Sequence, residues 1–83
     1  MKYRAKIEVS LKPGHSNPEG ETVAHLLKEL GYQVETVDVS KVYTVILDVP
    51  TFKDAKTKAE EMSKRLLANP TKDNYVISVE EQK

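Results

Sequence analysis

The alternation of apolar and polar residues is sharpest near the start of the chain. Tyr3, Ala5, Ile7, Val9 and Leu11 share one parity, and Lys2, Arg4, Lys6, Glu8 and Ser10 share the other. A two-residue period of this kind predicts a strand over 2–11 with one dry and one wet side. Lys12-Pro13-Gly14-His15-Ser16-Asn17 stops it, because proline cannot donate to a ladder and glycine favours a turn. From Pro18 the period changes. Val23, Leu26, Leu27 and Leu30 recur at helical spacing, and Asn17 stands where an N-cap is needed. Glu19 and Glu21 suit the positive end of such a helix, and Gly31 suits its left-handed exit.

The run from Val37 to Val49 is the most β-branched and aliphatic of the chain. Val37, Val39, Tyr43, Val45, Leu47 and Val49 share one parity, while Val42 and Ile46 make the other face partly apolar. That pattern fits a central or interface strand better than an edge. Ser40-Lys41 interrupts it without the glycine or asparagine that a tight hairpin turn prefers. Two readings follow: a hairpin whose turn is weakly encoded, or one long bulged strand reaching beyond its own subunit. After Pro50, Thr51 caps a second helix with Asp54 in the capping-box position, and Phe52, Ala55, Ala59, Met62, Leu66 and Leu67 form its apolar stripe. Asn69-Pro70 ends that helix, and Tyr75, Ile77 and Val79 mark a last strand over 74–80.

The order β-α-β-β-α-β predicts an α+β fold: a two-layer, ferredoxin-like sandwich with two helices on one face of an antiparallel sheet. In the long-strand reading, the central strand is shared in a dimer. One domain is expected over residues 1–83. The sheet face away from the helices has nothing in the chain to cover it, and it carries Val42 and Ile46. A homodimer, or a tetramer built as a dimer of dimers, joined through the sheet is therefore expected.

Composition narrows the function. A chain of 83 residues lies near the size at which one core suffices, and such domains often gain stability by oligomerising. The absence of cysteine excludes disulfides, thiolate metal sites and thiol catalysis. No apolar run approaches the ~20 residues that span a bilayer, so a soluble cytoplasmic protein is expected, with no membrane partner. Thirteen basic and thirteen acidic residues cancel, which argues against nucleic acid as a partner.

Catalytic chemistry is hard to find. No nucleophile–base pair, carboxylate pair or phosphate loop stands out, so neither catalytic residues nor a cofactor are expected. His15 and His25 have no metal-ligand spacing, and a metal site is not expected. His25 lies opposite the apolar stripe of its helix, where a solvated histidine is the ordinary explanation. His15 neighbours a helix N-terminus that can receive an anion, although turn chemistry explains the loop equally well. Gly20 has no side chain in a first turn where alanine would favour the helix by up to ~1 kcal/mol, which suggests close approach by another backbone or a ligand. Tyr3 and Tyr43 share parity with the core, so they read as inward-facing rather than as base-stacking platforms.

Several short pieces carry a family resemblance. Val9-Ser10-Leu11-Lys12, Asn17-Pro18-Glu19-Gly20, Leu30-Gly31-Tyr32, Leu66-Leu67-Ala68-Asn69-Pro70 and Val79-Glu80-Glu81 occur in that order. Together they resemble the PurS-type small subunit of phosphoribosylformylglycinamidine synthase (formylglycinamide ribonucleotide amidotransferase). Asn17 stands where many members have aspartate, and both cap a helix. The resemblance implies a non-catalytic part of an ATP-consuming ligase of de novo purine biosynthesis. In that family a glutaminase subunit releases ammonia, a large synthetase subunit consumes it, and the small subunit bridges the two and supports ammonia transfer. Interface residues are expected at His15, Asn17, Pro18 and Gly20, at Val42 and Ile46, and at Asn69 and Pro70. The alternative is a small-molecule-sensing regulatory domain of ACT type, which shares the strand–helix order and also dimerises through sheets. An RNA-binding module is a third class, and the charge balance disfavours it.

Overall fold

The computed structural model describes residues 1–82. Three strands are paired: β1 (Lys2–Leu11), β2 (Lys41–Asp48) and β3 (Asp73–Glu81). Two helices lie between them, α1 (Pro18–Glu29) and α2 (Phe52–Met62), the second running on into a π-helical turn at Ser63–Leu67. The strands form an antiparallel sheet in the order β2-β1-β3, an α+β arrangement of ferredoxin-like type. The half of the central run that precedes Ser40-Lys41, with Val37 and Val39, forms no paired strand, so the order is β-α-β-α-β. Those residues alternate as a strand should, yet no neighbouring chain segment supplies a ladder for them.

β1 sits in the middle because it is the one strand flanked on both edges, Ile7 lying opposite Tyr43 on β2 and Ile77 on β3. Its dry side is sealed, with Ala5 and Ile7 fully buried and Tyr3 and Val9 nearly so. Ala55 and Ala59 of α2 are also fully buried, and these small side chains let the helix lie close to the sheet. Tyr43, Val45 and Leu47 of β2 and Tyr75, Ile77 and Val79 of β3 flank this core but remain only partly buried.

The π-helical turn changes the stripe read from α2. With a five-residue step, Ser63 becomes fully buried and its hydroxyl donates to the Ala59 carbonyl at 2.8 Å. Ala68 closes the core in its place, and Leu66 is turned outward with 83% of its surface exposed. The expected inward position of Leu66 assumed an unbroken 3.6-residue period, which the wide turn interrupts.

Only α2 covers the sheet, packing on β1 and β3, and α1 makes no comparable contact with any strand. Both helices were expected on one face. Asn17 caps α1 as expected, its Oδ1 accepting the Gly20 N–H at 2.9 Å, and Gly31 follows with φ 97°. The helix is therefore built as read, but its apolar stripe is not covered. Val23, Leu26 and Leu30 are 36%, 51% and 74% exposed.

The rim of the sheet carries one perturbed group. Tyr75 donates its phenol hydrogen to Glu60 Oε2 at 2.8 Å, and that bond to a carboxylate holds its pKa above the usual tyrosine value. The bond exists only while the phenol is protonated, so its small contribution is lost as pH rises through the raised pKa. In a spectrophotometric titration Tyr75 should ionise above the ordinary tyrosine range. Glu60→Gln should return it to the ordinary range, and an unchanged late phase in that variant would rule out the assignment.

Candidate docking faces and family assignment

The eight residues expected at interfaces fall into two separate places. Val42 and Ile46 stand on the outer face of the sheet, 57% and 48% exposed, beside Val76 at 66%. The β1 register places Glu8 between Val42 and Val76, and Arg4 between Ile46 and Glu80. Arg4 and Glu80 form an exposed ion pair at 3.3 Å. This face is thus a mixed surface of aliphatic side chains framed by paired charges, with no helix over it.

The other six residues gather at the far end of β1. The Lys12 N–H donates to the Lys72 carbonyl at 2.8 Å, and its Nζ donates to the Pro70 carbonyl at 3.0 Å. These bonds tie the 12–17 loop to the 69–73 loop. Asn69 shapes the second loop from within. Its Oδ1 accepts the Thr71 N–H, and its own N–H donates to Asp73 Oδ2, both at 2.9 Å. Between the loops, Asn17 and Pro18 share an open cleft with Leu11, Lys41 and Lys72. His15 is exposed at its margin.

Asn17 does more than cap. Its Nδ2 donates to the Val39 carbonyl at 3.1 Å, so one side chain holds both the helix start and the run that precedes β2. A carboxylate has no hydrogen to give there. The substitution for aspartate noted above therefore removes charge and adds a tether. Gly20 lies on the same seam. A Cβ there would run into the Val37 carbonyl, so the close approach expected at this glycine comes from the chain's own backbone. Sequence reasoning missed Val37 and Val39 as its partners, because nothing local signals which segment will cross a helix start.

Among the described residues there is no cluster of three or more histidine, aspartate or glutamate side chains that could hold a metal. His25 is exposed and its Nε2 lies 3.1 Å from Glu29 Oε1 on the same helix. Tyr3 is 5% exposed, packed edge-on to Phe52 with ring centroids 6.2 Å apart, and is no platform for a base. Among the described residues no helix is long and apolar enough to cross a membrane.

The family described as PurS, phosphoribosylformylglycinamidine (FGAM) synthase, matches residues 4–81. A phosphoribosylformylglycinamidine synthase subunit PurS from Methanothermobacter thermautotrophicus is 36% identical over 98% of this chain and 96% of its own. The chain belongs to the PurS family. The crystal structure of Methanocaldococcus jannaschii PurS, described as one of the subunits of formylglycinamide ribonucleotide amidotransferase, superposes with a TM-score of 0.87. It is 38% identical, covering 98% of this chain and 99% of that one. A chain of the structure described as PurLQS from Thermotoga maritima is 21% identical and shares the fold, with a TM-score of 0.88 over 96% and 99% of the two chains. PurS is thus the frame in which both faces are to be read, and nothing in these likenesses supports an ACT-type domain.

Proposed function

We propose that this PurS-family chain is the non-catalytic small subunit of phosphoribosylformylglycinamidine synthase, acting as one domain across residues 1–83 in the cytoplasm. It joins the glutaminase subunit to the large synthetase subunit in more than one copy, as a homodimer or tetramer, and supports passage of ammonia between them. The observation that carries this reading is the match to PurS along nearly the whole chain. The structure supports it through the kind of surface displayed. Exposed aliphatic residues framed by ion-paired charge are the composition of a protein-binding patch.

The outer face, with Val42 and Ile46 at its centre, is the surface we assign to the synthetase subunit. Co-expression of the three subunits, with a tag on this one, should recover both partners. A Val42→Lys/Ile46→Lys double variant should recover the synthetase at a level at least tenfold lower, because desolvating unpaired ammonium groups opposes docking. Undiminished recovery would move the synthetase contact elsewhere.

A further inference from the structure

β3 is the last strand of the chain and the outermost on its side of the sheet. Its ladder with β1 fixes which of its main-chain groups are already paired. The Gln82 N–H donates to the Lys2 carbonyl at 2.8 Å, and the Lys12 N–H donates to the Lys72 carbonyl at 2.8 Å. Bonded positions alternate along an antiparallel pair, so the main-chain groups of even-numbered β3 residues face β1. The N–H and C=O groups of Tyr75, Ile77 and Val79 therefore point the other way, and no strand of the sheet lies beyond them.

An open edge of this kind is a template for another strand, and folded proteins blunt it with lysine, proline, a bulge or short length. β3 has none of these. It runs for nine residues, in unbroken register with β1 from Asp73 to Glu81. Those residues include no lysine, arginine or proline, and Val76 is 66% exposed among them. α2 packs on the inner side of β3 yet leaves a notch at the rim, lined by Lys56, Glu60, Tyr75 and Ile77. A strand laid along this edge has main-chain bonds to make and a place for one of its alternate side chains.

Two observations say what fits there. Val76 lies across Glu8 from Val42, so a protein docked on the outer face already reaches β3. The strand also carries Asp73, Glu80 and Glu81, while the Arg4 guanidinium paired with Glu80 stands on β1. We infer that an extended segment of the synthetase subunit adds to β3 as a fourth strand, with lysine or arginine opposite Glu80 and Glu81. Its main chain bonds to Tyr75, Ile77 and Val79, and one inward side chain fills the notch beside Glu60. This strand pairing rests on the assignment of the outer face to the synthetase, and extends that contact over the edge of the sheet.

Val79→Pro deletes one outward N–H and leaves the β1 ladder intact, the one way in which proline suits a strand. Val79→Ala keeps that N–H while trimming the side chain, and serves as its control. In the tagged co-expression described above, Val79→Pro should recover about fivefold less synthetase than Val79→Ala, the effect of one lost main-chain bond. In the unmodified chain, the Tyr75, Ile77 and Val79 amides should exchange with deuterium quickly when it is alone and slowly in the complex. Equal recovery of the two Val79 variants overturns the added strand, and so does exchange across 73–81 that the synthetase leaves unchanged. A fall in the mass of the isolated chain on Val79→Pro also overturns it, by giving the edge to a second copy. Should Val79→Pro fail to fold, the exchange decides. Loss of synthetase with Val42→Lys/Ile46→Lys but not with Val79→Pro removes the strand and leaves the face assignment standing. The reverse pattern removes the face assignment and keeps the strand.

Discussion

Ile7→Ala should lower the stability of the protein by about 3 kcal/mol, the middle of the range for removing a large aliphatic side chain from a sealed core. Ile7 is fully buried at the centre of the central strand, and with Ser63 it is the largest side chain to be so. Its neighbours across the ladder are Tyr43 and Ile77, each fixed by pairing to β1, so the cavity has little freedom to collapse. A domain of this size has roughly 5–15 kcal/mol in total, which makes the loss a large share. At about 5 °C per kcal/mol the melting temperature should fall by ~15 °C. Thermal unfolding followed by circular dichroism measures this directly. A fall of only one or two degrees would mean that the core closes around the gap and that the packing described for β1 is wrong.

Gly20→Ala is the second large effect, and its sign is the informative part. In an isolated helix the change would favour folding by up to ~1 kcal/mol. Here the added methyl group meets the Val37 carbonyl, a backbone group that cannot swing aside as a side chain would. Relief requires parting α1 from the run at 37–39, which also pulls Asn17 Nδ2 from the Val39 carbonyl. Overpacking of this kind costs about 1–3 kcal/mol, so a net loss of about 2 kcal/mol is expected. Urea unfolding gives the magnitude, and limited proteolysis should show faster cleavage within 32–40. A gain in stability would show that α1 and the run at 37–39 part freely at this seam.

Much of this architecture could be read in advance. The parity of Tyr3 to Leu11 identified the buried side of β1, and each of those positions is at least half covered. The caps were legible because they are local. Asn17 and Thr51 each accept an N–H from three residues on, a bond that depends only on neighbouring sequence. What was not legible depends on distant segments. Alternation at Val37 and Val39 says which way side chains would face in a sheet, yet it cannot say whether a neighbour strand exists. The stripe on α1 says that a face wants cover, not that its own sheet will provide it. Leu66 was misplaced because the π-helical turn leaves no mark in the apolar spacing before it. The residues expected at interfaces came partly from the uncovered sheet face, as Val42 and Ile46, and partly from family resemblance, as Asn69 and Pro70. No residue type in them announces a reaction, and contact surfaces lack the spacing rules that metals and nucleophiles impose.

The placement of β1 in the middle of the sheet has a consequence for how the protein is made. Arg4 on β1 pairs with Glu80 on β3, 76 residues later in the chain. At 5–20 residues per second, a ribosome takes roughly four to fifteen seconds to deliver that partner. Through that interval the nascent β1 has at most one of its two neighbours, and its other edge stays open. Pairings this far apart are also slow to form once the chain is free, because a long loop must close first. The newborn chain is therefore most exposed to wrong strand pairing through its first ten residues, and a chaperone holding that segment would protect it until β3 emerges.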